Sequence, residues 1–279
     1  MNPSDFELIA GLLKQRSGLV LTPDKGYLLE SRLSSVARRW DFKSFDEMVQ
    51  SIRAKRDEKL LSEITEAMTT NESFFFRDTK PFDQFRDLVL PHLLTARAAK
   101  RSFRIWSAAC STGQEPYSLA MLLKEAESKL AGWRIEIIAT DLSNEVLDKA
   151  KEGLYTQFEA QRGLPITLLM KYFTQAGDHW QISPELRKMI TYKTFNLLES
   201  PASLGQFDVI FLRNVLIYFD PPTKGKILDG MSRQLASDGF LYLGGAETVL
   251  GVSDKFKPKQ GQRGIYELSQ TEGALAAAS

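Results

Sequence analysis

The residues best suited to chemistry in this chain are a small-residue turn and an aspartate, each at the end of an apolar run. Ile105-Trp-Ser-Ala-Ala passes into Cys110-Ser-Thr-Gly113, and a helical pattern begins at about Gln114. Gly113 lets the backbone come close to a bound group. About one helix later, Ile135-Glu-Ile-Ile-Ala-Thr-Asp141 ends in an acid. Strand, turn, helix, strand, acid is the order in which a doubly wound sheet holds a nucleoside, with backbone under the ligand and a carboxylate on the ribose hydroxyls. A dinucleotide turn usually carries three glycines, and this one has a single glycine, which disfavours NAD. No phosphate-loop lysine motif is present, which disfavours ATP. S-adenosylmethionine carries no phosphates and needs no such cradle, so it fits this turn and acid best.

These residues need a scaffold, and the pattern around them supplies one. From Phe103 the chain alternates strand and helix, which implies a mostly parallel, doubly wound α/β sheet. Strands are expected at 103–109, 134–140, 190–195, 207–212 and 238–244, with helices at 114–130, 143–151 and 222–236. Gly264–Leu268 follows too short a connection for a helical crossover and should run antiparallel at or near the sheet edge. Residues 153–190 interrupt the alternation as a small antiparallel β-insert, with Tyr172–Gln175 and Trp180–Ile182 forming a hairpin. Residues 1–70 read as a helical N-terminal domain, 71–80 as a polar-then-aromatic linker, and 81–279 as the α/β domain. Within the first domain, Ser4 is expected to cap a helix that stops near Gly18, and Thr22-Pro23 to start the next. That second helix places Leu29, Leu33, Val36 and Trp40 on one stripe, with Lys25, Arg32 and Arg39 every seven residues beside it. Ser44 with Glu47 forms a capping box, and Asp57–Met68 a fourth helix. The tail Ala274–Ser279 reads as disordered.

Composition narrows the function classes. The 279 residues are 43% hydrophobic and 25% charged with a net charge of +1, which fits a globular protein and gives no electrostatic case for nucleic acid. No long uncharged apolar run argues for membrane insertion, and the N-terminus lacks an export signal, so a cytoplasmic monomer is expected. One cysteine, Cys110, and two histidines, His92 and His179, exclude an internal disulfide and leave little for a metal site or a histidine-centred triad.

Five strings stand in order along the chain: Thr70-Asn-Glu-Ser-Phe-Phe-Phe-Arg77, Ser107-Ala-Ala-Cys-Ser-Thr-Gly-Gln-Glu-Pro-Tyr-Ser118, Ala139-Thr-Asp-Leu142, Asn196-Leu-Leu198 and Arg213-Asn-Val-Leu-Ile-Tyr-Phe-Asp220. Together they closely resemble the CheR family, the bacterial chemotaxis receptor methyltransferases, over about residues 4–268. The resemblance implies the S-adenosylmethionine-dependent methyltransferase fold. It also implies transfer of the methyl group to receptor glutamates, giving glutamate 5-O-methyl esters and S-adenosylhomocysteine. A glutamate has a reference pKa of ~4.3 and is already a nucleophile at neutral pH, so no general base is needed. The scarcity of histidine and cysteine is consistent with that chemistry.

Residue by residue, the resemblance implies that Arg77 and Tyr218 stand at the transfer centre. Asn71, Ser73, Arg77, Glu115, Asp141, Asn196, Leu197, Arg213 and Asn214 would contact the donor, Arg213 through its backbone. Ser73 stands where threonine is common, and Gln114 replaces the first acid of the family's pair. Lys25, Arg32 and Arg39 are expected to meet the acidic methylation helices of a chemoreceptor cytoplasmic domain. The first seventy residues hold 11 basic and 11 acidic residues, so the domain as a whole carries no charge bias. Members that tether to a receptor pentapeptide have a longer loop in the β-insert than Ala176-Gly-Asp-His179, so this chain is expected not to depend on the tether. Two rivals are weighed. N-methylation is disfavoured because Arg213-Asn214-Val215 stands where an Asn/Asp-Pro-Pro-aromatic motif would. A scaffold without turnover, or an enzyme of a non-motility pathway, is the alternative; the presence of Arg77, Asp141, Asn214 and Tyr218 argues against the scaffold.

Overall fold

A computed structural model describes residues 2–269, so the tail expected to be disordered lies outside the described residues. The first four helices are α1 (Pro3–Ser17), α2 (Gly26–Arg39), α3 (Phe45–Ala54) and α4 (Glu58–Met68). Their apolar stripes close on one cluster that includes Ile9, Leu13, Leu29, Leu33, Val36, Met48, Ile52, Leu61 and Ile64. The expected stripe on α2 is this core; Trp40 ends it, half-buried against the cluster.

The helix starts differ in detail from the sequence expectation. Asn2, not Ser4, caps α1, its side chain accepting from the Asp5 N–H with Pro3 at the first helical position. Pro23 opens a short 3₁₀ turn, Pro23–Lys25, before α2, and Thr22 makes no side-chain cap. Ser44 accepts from the Glu47 N–H at 3.1 Å, but the Glu47 carboxylate returns to the N–H of Lys43 at 2.6 Å, one residue earlier than a capping box requires. Asp57 caps α4 by accepting from Lys59 and Leu60.

After the linker come α5 (Lys80–Gln84), a π-turn at Phe85–Val89 and α6 (Leu90–Ala96). The α/β region then runs β1 (Ser102–Ala108), α7 (Gln114–Glu125), β2 (Arg134–Asp141) and α8 (Asn144–Glu152). The insert follows: β3 (Leu154–Thr156), α9 (Gln157–Gln161), α10 (Ile166–Tyr172), β4 (Phe173–Ala176), β5 (His179–Ile182) and α11 (Pro184–Arg187). The chain finishes with β6 (Ile190–Thr194), β7 (Phe207–Leu212), α12 (Pro221–Gln234), β8 (Leu235–Leu243), β9 (Phe256–Pro258) and β10 (Ile265–Leu268).

The main sheet has the order β6-β2-β1-β7-β8-β10-β9. The first five strands are parallel, and β10 runs antiparallel to β8. β10 lies near the edge, as expected, and β9, a strand not expected from the sequence, takes the edge itself. Period-two alternation sends Ile105, Ile137, Val209 and Phe211 to one face and Trp106, Ile138, Ile210 and Leu212 to the other. Both faces are therefore packed, as a parallel sheet requires. The insert is a second sheet of order β3-β5-β4 rather than a lone hairpin. Gly177 and Asp178 alone join β4 to β5, with Gly177 at φ 61°, a tight two-residue turn.

Candidate functional site

The strand ends of β1, β2 and β7 open into a cleft with about 1010 Å³ of empty volume including its mouth. This is where open α/β sheets bind ligands, outside the carboxyl ends of the strands where the order reverses. Ala109, Cys110 and Ser111 line its floor. Ala109 (φ 57°) and Ser111 (φ 52°) sit in the left-handed region, so two non-glycine residues make the turn that one glycine was expected to make. Gly113 is not among the lining residues. A Cβ at Gly113 would meet Ala150 at 2.9 Å and the Tyr192 hydroxyl at 3.0 Å, so its role is close packing of α7 against α8 and β6.

Asp141, at the end of β2, is 7% exposed. One carboxylate oxygen accepts from the Ser111 N–H at 2.8 Å and the other from the Ser143 N–H at 3.1 Å. Ser143, not Asp141, caps α8. Burial pushes the Asp141 carboxyl above its ordinary value, against the opposing pull of the backbone N–H groups of Ser143, Ser111 and Leu142. A carboxylate oxygen has two lone pairs, so each retains capacity for one hydroxyl donor.

The cleft brings together Asn71, Ser73, Arg77, Glu115, Asp141, Asn196, Leu197, Arg213, Asn214 and Tyr218. Lys25, Arg32 and Arg39 are not among its lining residues. Lys25 is exposed in the turn before α2. Arg39 pairs with Glu63. Arg32 donates to the carbonyls of Met68 (2.9 Å) and Thr69 (3.0 Å), the last turn of α4, and to the Thr70 hydroxyl. It therefore ties the linker's start to α2.

The N-terminal helices form one wall of the cleft through Ser17 and Leu19. Polar contacts fix their docking: the Asn196 amide donates to the Arg16 carbonyl at 2.6 Å, Lys14 pairs with Asp220, and the Val20 N–H donates to the Tyr218 carbonyl at 3.0 Å, while Gly18 packs close to Phe219 and Leu198. Glu66 of α4 accepts from the Ser143 hydroxyl and the Asn144 N–H, both at 3.0 Å. A carboxylate at the start of α8 is favourably placed against the helix dipole.

Two buried charges fix the remaining walls. The Arg213 side chain, 1% exposed, donates to Glu115 at 2.9 Å, to Asp78 at 2.7 Å and to the Arg77 carbonyl at 2.9 Å. The second Glu115 oxygen accepts from the Ser107 hydroxyl at 2.8 Å. The side chain that sequence reading assigned to a backbone role is thus a clamp that holds the linker onto the start of α7. Phe76, Asp78 and Thr79 in that linker all have positive φ, a strained path that needs such a clamp.

Glu247 is not among the site residues that the sequence motifs point to. Its carboxylate accepts four backbone N–H groups, those of Asn214, Leu216 and Gly244 at 2.7 Å and Val215 at 2.8 Å. It holds Asn214 at φ 59° and sets the 3₁₀ turn Leu216–Tyr218. The only local sign is Gly244 three residues earlier, where a Cβ would lie 2.7 Å from both the Asn214 amide and Glu247.

The donor set fits S-adenosylmethionine. There is a buried carboxylate with capacity for hydroxyls, side-chain amides at Asn71, Asn196 and Asn214, and an apolar wall of Leu19, Leu142, Phe195 and Leu197. Among the described residues no group of three or more His, Cys, Asp or Glu side chains is placed to hold a metal ion. No helix among them is long and apolar enough to cross a membrane. Fold and cleft together define an S-adenosylmethionine-dependent methyltransferase.

Comparison with known proteins sharpens the class. Residues 71–265 match the family described as CheR methyltransferase, SAM binding domain, and residues 4–69 match CheR methyltransferase, all-alpha domain. The chain is 42% identical to chemotaxis protein methyltransferase 1 of Pseudomonas aeruginosa over 94% of this chain and 96% of that one. It is 40% identical to a chemotaxis protein methyltransferase of Pseudomonas putida over 94% and 96%, and 38% identical to chemotaxis protein methyltransferase 1 of Vibrio cholerae over 96% and 98%. The chain belongs to the CheR family and is a chemotaxis methyltransferase.

Proposed function

We propose that this enzyme methylates glutamate side chains of chemoreceptor cytoplasmic domains, forming glutamate 5-O-methyl esters for chemotaxis adaptation. The observation that carries this reading is a cleft whose lining holds the Arg77 guanidinium and side-chain amides as hydrogen-bond donors for a carboxylate but no histidine to serve as general base. Such a cleft suits an acceptor that is already ionised at neutral pH. Bound S-adenosylmethionine supplies an electrophilic methyl group on a cationic sulfur. The acceptor oxygen forms the new bond to carbon while the carbon–sulfur bond breaks and its electron pair stays on sulfur. Opposite charges are lost together, so the protein's task is alignment and exclusion of water rather than proton transfer.

In this reading Asp141 takes the ribose hydroxyls, and Asn196 and Leu197 flank the base. Asn71, Ser73, Glu115, Arg213 and Asn214 shape the remainder of the donor cleft. Arg77 orients the acceptor carboxylate, as a guanidinium fork can, and Tyr218 walls the transfer centre. The N-terminal helices meet the receptor through Lys25 and Arg39, while Arg32 serves the linker. The short Gly177–Asp178 turn supports a member that works without a pentapeptide tether.

The test is transfer of labelled methyl from S-adenosylmethionine to receptor cytoplasmic fragments. Base-labile label, released as methanol, is the expected result. Label that survives base would overturn the ester in favour of an N-methyl group, and no label on any fragment would favour a scaffold.

A further inference from the structure

The linker that carries Arg77 rests on the β-insert through contacts of three kinds. The first is ionic: Arg162, in the loop between α9 and α10, donates to the Glu72 carboxylate at 2.6 Å. Arg77 donates to the backbone carbonyl of the same residue at 2.8 Å. The second is aromatic: the guanidinium carbon of Arg162 lies 4.5 Å from the centre of the Phe74 ring, and that of Arg77 lies 5.6 Å from it. Arg162 and Arg77 therefore share both of their neighbours, Glu72 and Phe74. The third is shape: a Cβ at Gly163 would lie 2.1 Å from the Phe75 carbonyl oxygen, so the linker backbone crosses the insert where only glycine leaves room. Behind it the fully buried Phe75 ring sits edge-on to Tyr155 of β3 at 5.0 Å and to Phe173 of β4 at 5.5 Å.

We infer that the insert is the seat of the active-site linker, and that Arg162 is a positioning residue that holds Glu72 and Phe74 where Arg77 can use them. The inference rests on the proposed role of Arg77 at the acceptor carboxylate. It gives the insert a task inside each turnover, independent of whether it ever binds a receptor segment. The linker needs such a seat because its own backbone does not hold it: Phe76, Asp78 and Thr79 stand at positive φ, and relaxed alternatives are open to them once the neighbours loosen. Arg213 clamps the linker at Arg77 and Asp78 from the sheet side, and Arg162 clamps it at Glu72 and Phe74 from the insert side.

The test uses the full chain with saturating S-adenosylmethionine and a receptor fragment. Arg162 is 38% exposed, so Arg162→Ala should lower the melting temperature by no more than a few degrees and leave the affinity for S-adenosylhomocysteine unchanged. Loss of one exposed ion pair and one cation–π contact should lower kcat by about three- to thirtyfold. Arg162→Lys keeps the charge opposite Glu72 but not the planar stack, and should recover part of that loss. Glu72→Gln added to Arg162→Ala should cost less than it does alone, because the pair is already broken. Unchanged kcat in Arg162→Ala, or a loss of kcat that follows a loss of donor affinity, would overturn the positioning role and leave the proposed function standing. A parent protein that makes no base-labile ester would remove that function, and this role with it.

Discussion

The substitution Glu247→Gln, although isosteric, should unsettle the site. One carboxylate oxygen accepts from Asn214 and Gly244, the other from Val215 and Leu216. An amide has one acceptor end and one donor end, so in either orientation its NH2 would face two N–H groups. Two buried donors then lose their partner, at ~1–3 kcal/mol each, or ~2–6 kcal/mol together. With a urea m-value of ~2 kcal/mol/M, the unfolding midpoint should fall by ~1–3 M. Asn214 is held at φ 59° by the same bonds, so the turn should relax and affinity for S-adenosylhomocysteine should fall with the midpoint. Urea titration followed by circular dichroism, with calorimetric titration of S-adenosylhomocysteine, reads both effects. Gly244→Ala should produce the same pair of losses, because its Cβ would lie 2.7 Å from Asn214 and Glu247. A Glu247→Gln protein with the parent's midpoint and affinity would refute the claim that this carboxylate organises the turn.

Asp141→Ala should weaken donor binding strongly, and parental affinity would contradict the ribose role. Burial raises the Asp141 carboxyl above its ordinary value, so on acidification it takes up its proton earlier than a free aspartate, and donor affinity should decline with that protonation. A raised pKa means that the folded state gains the proton more readily than the unfolded one, so stability at this site rises as affinity falls, which separates the effect from acid unfolding. Asp141→Asn should flatten this part of the pH profile of binding; an unchanged profile would remove Asp141 as its source. Arg77→Ala should lower turnover far more than donor affinity, and equal losses would assign Arg77 to the donor instead. A receptor C-terminal pentapeptide should show no low-micromolar binding by calorimetry; measurable binding in that range would contradict independence from the tether.

What the sequence made legible was periodic. The alternating runs that became β1, β2, β7 and β8, and the stripe of Leu29, Leu33 and Val36, were readable because burial on both faces of a sheet or on one face of a helix leaves a regular trace. Strands β3 and β9 are three residues each, too short for a period to register. The turn at 110–113 reads as a ligand site from its small residues, yet the residues in left-handed geometry are Ala109, in the run before it, and Ser111 as well as Gly113; tertiary context imposes the first two. Arg162, Arg213 and Glu247 were invisible as positioning groups for one reason. Their distant partners lie 90, 98 to 136 and 31 to 33 residues away, and beyond Gly244 no local pattern encodes such pairings.

The arrangement also constrains where the accuracy of methyl transfer comes from. Asn214 and Tyr218 stand four residues apart on one turn, and Glu247 fixes that turn through backbone alone. Arg213, adjacent to it, reaches back to the carbonyl of Arg77. Asn214, Tyr218 and, through the Arg213 side chain, the backbone of Arg77 are therefore fixed to one short stretch of frame at the end of β7. A misplacement of 1 Å can cost on the order of a hundredfold in rate, so a shared frame protects the rate where a hinge would not. The acceptor side is looser: Ile217 is 49% exposed and Val20 38%, both beside Tyr218. A receptor helix can vary at that open rim without disturbing the frame. Selectivity among receptors should accordingly follow the exposed rim and the N-terminal helices, whereas changes at Arg213 or Glu247 should lower turnover on every receptor alike.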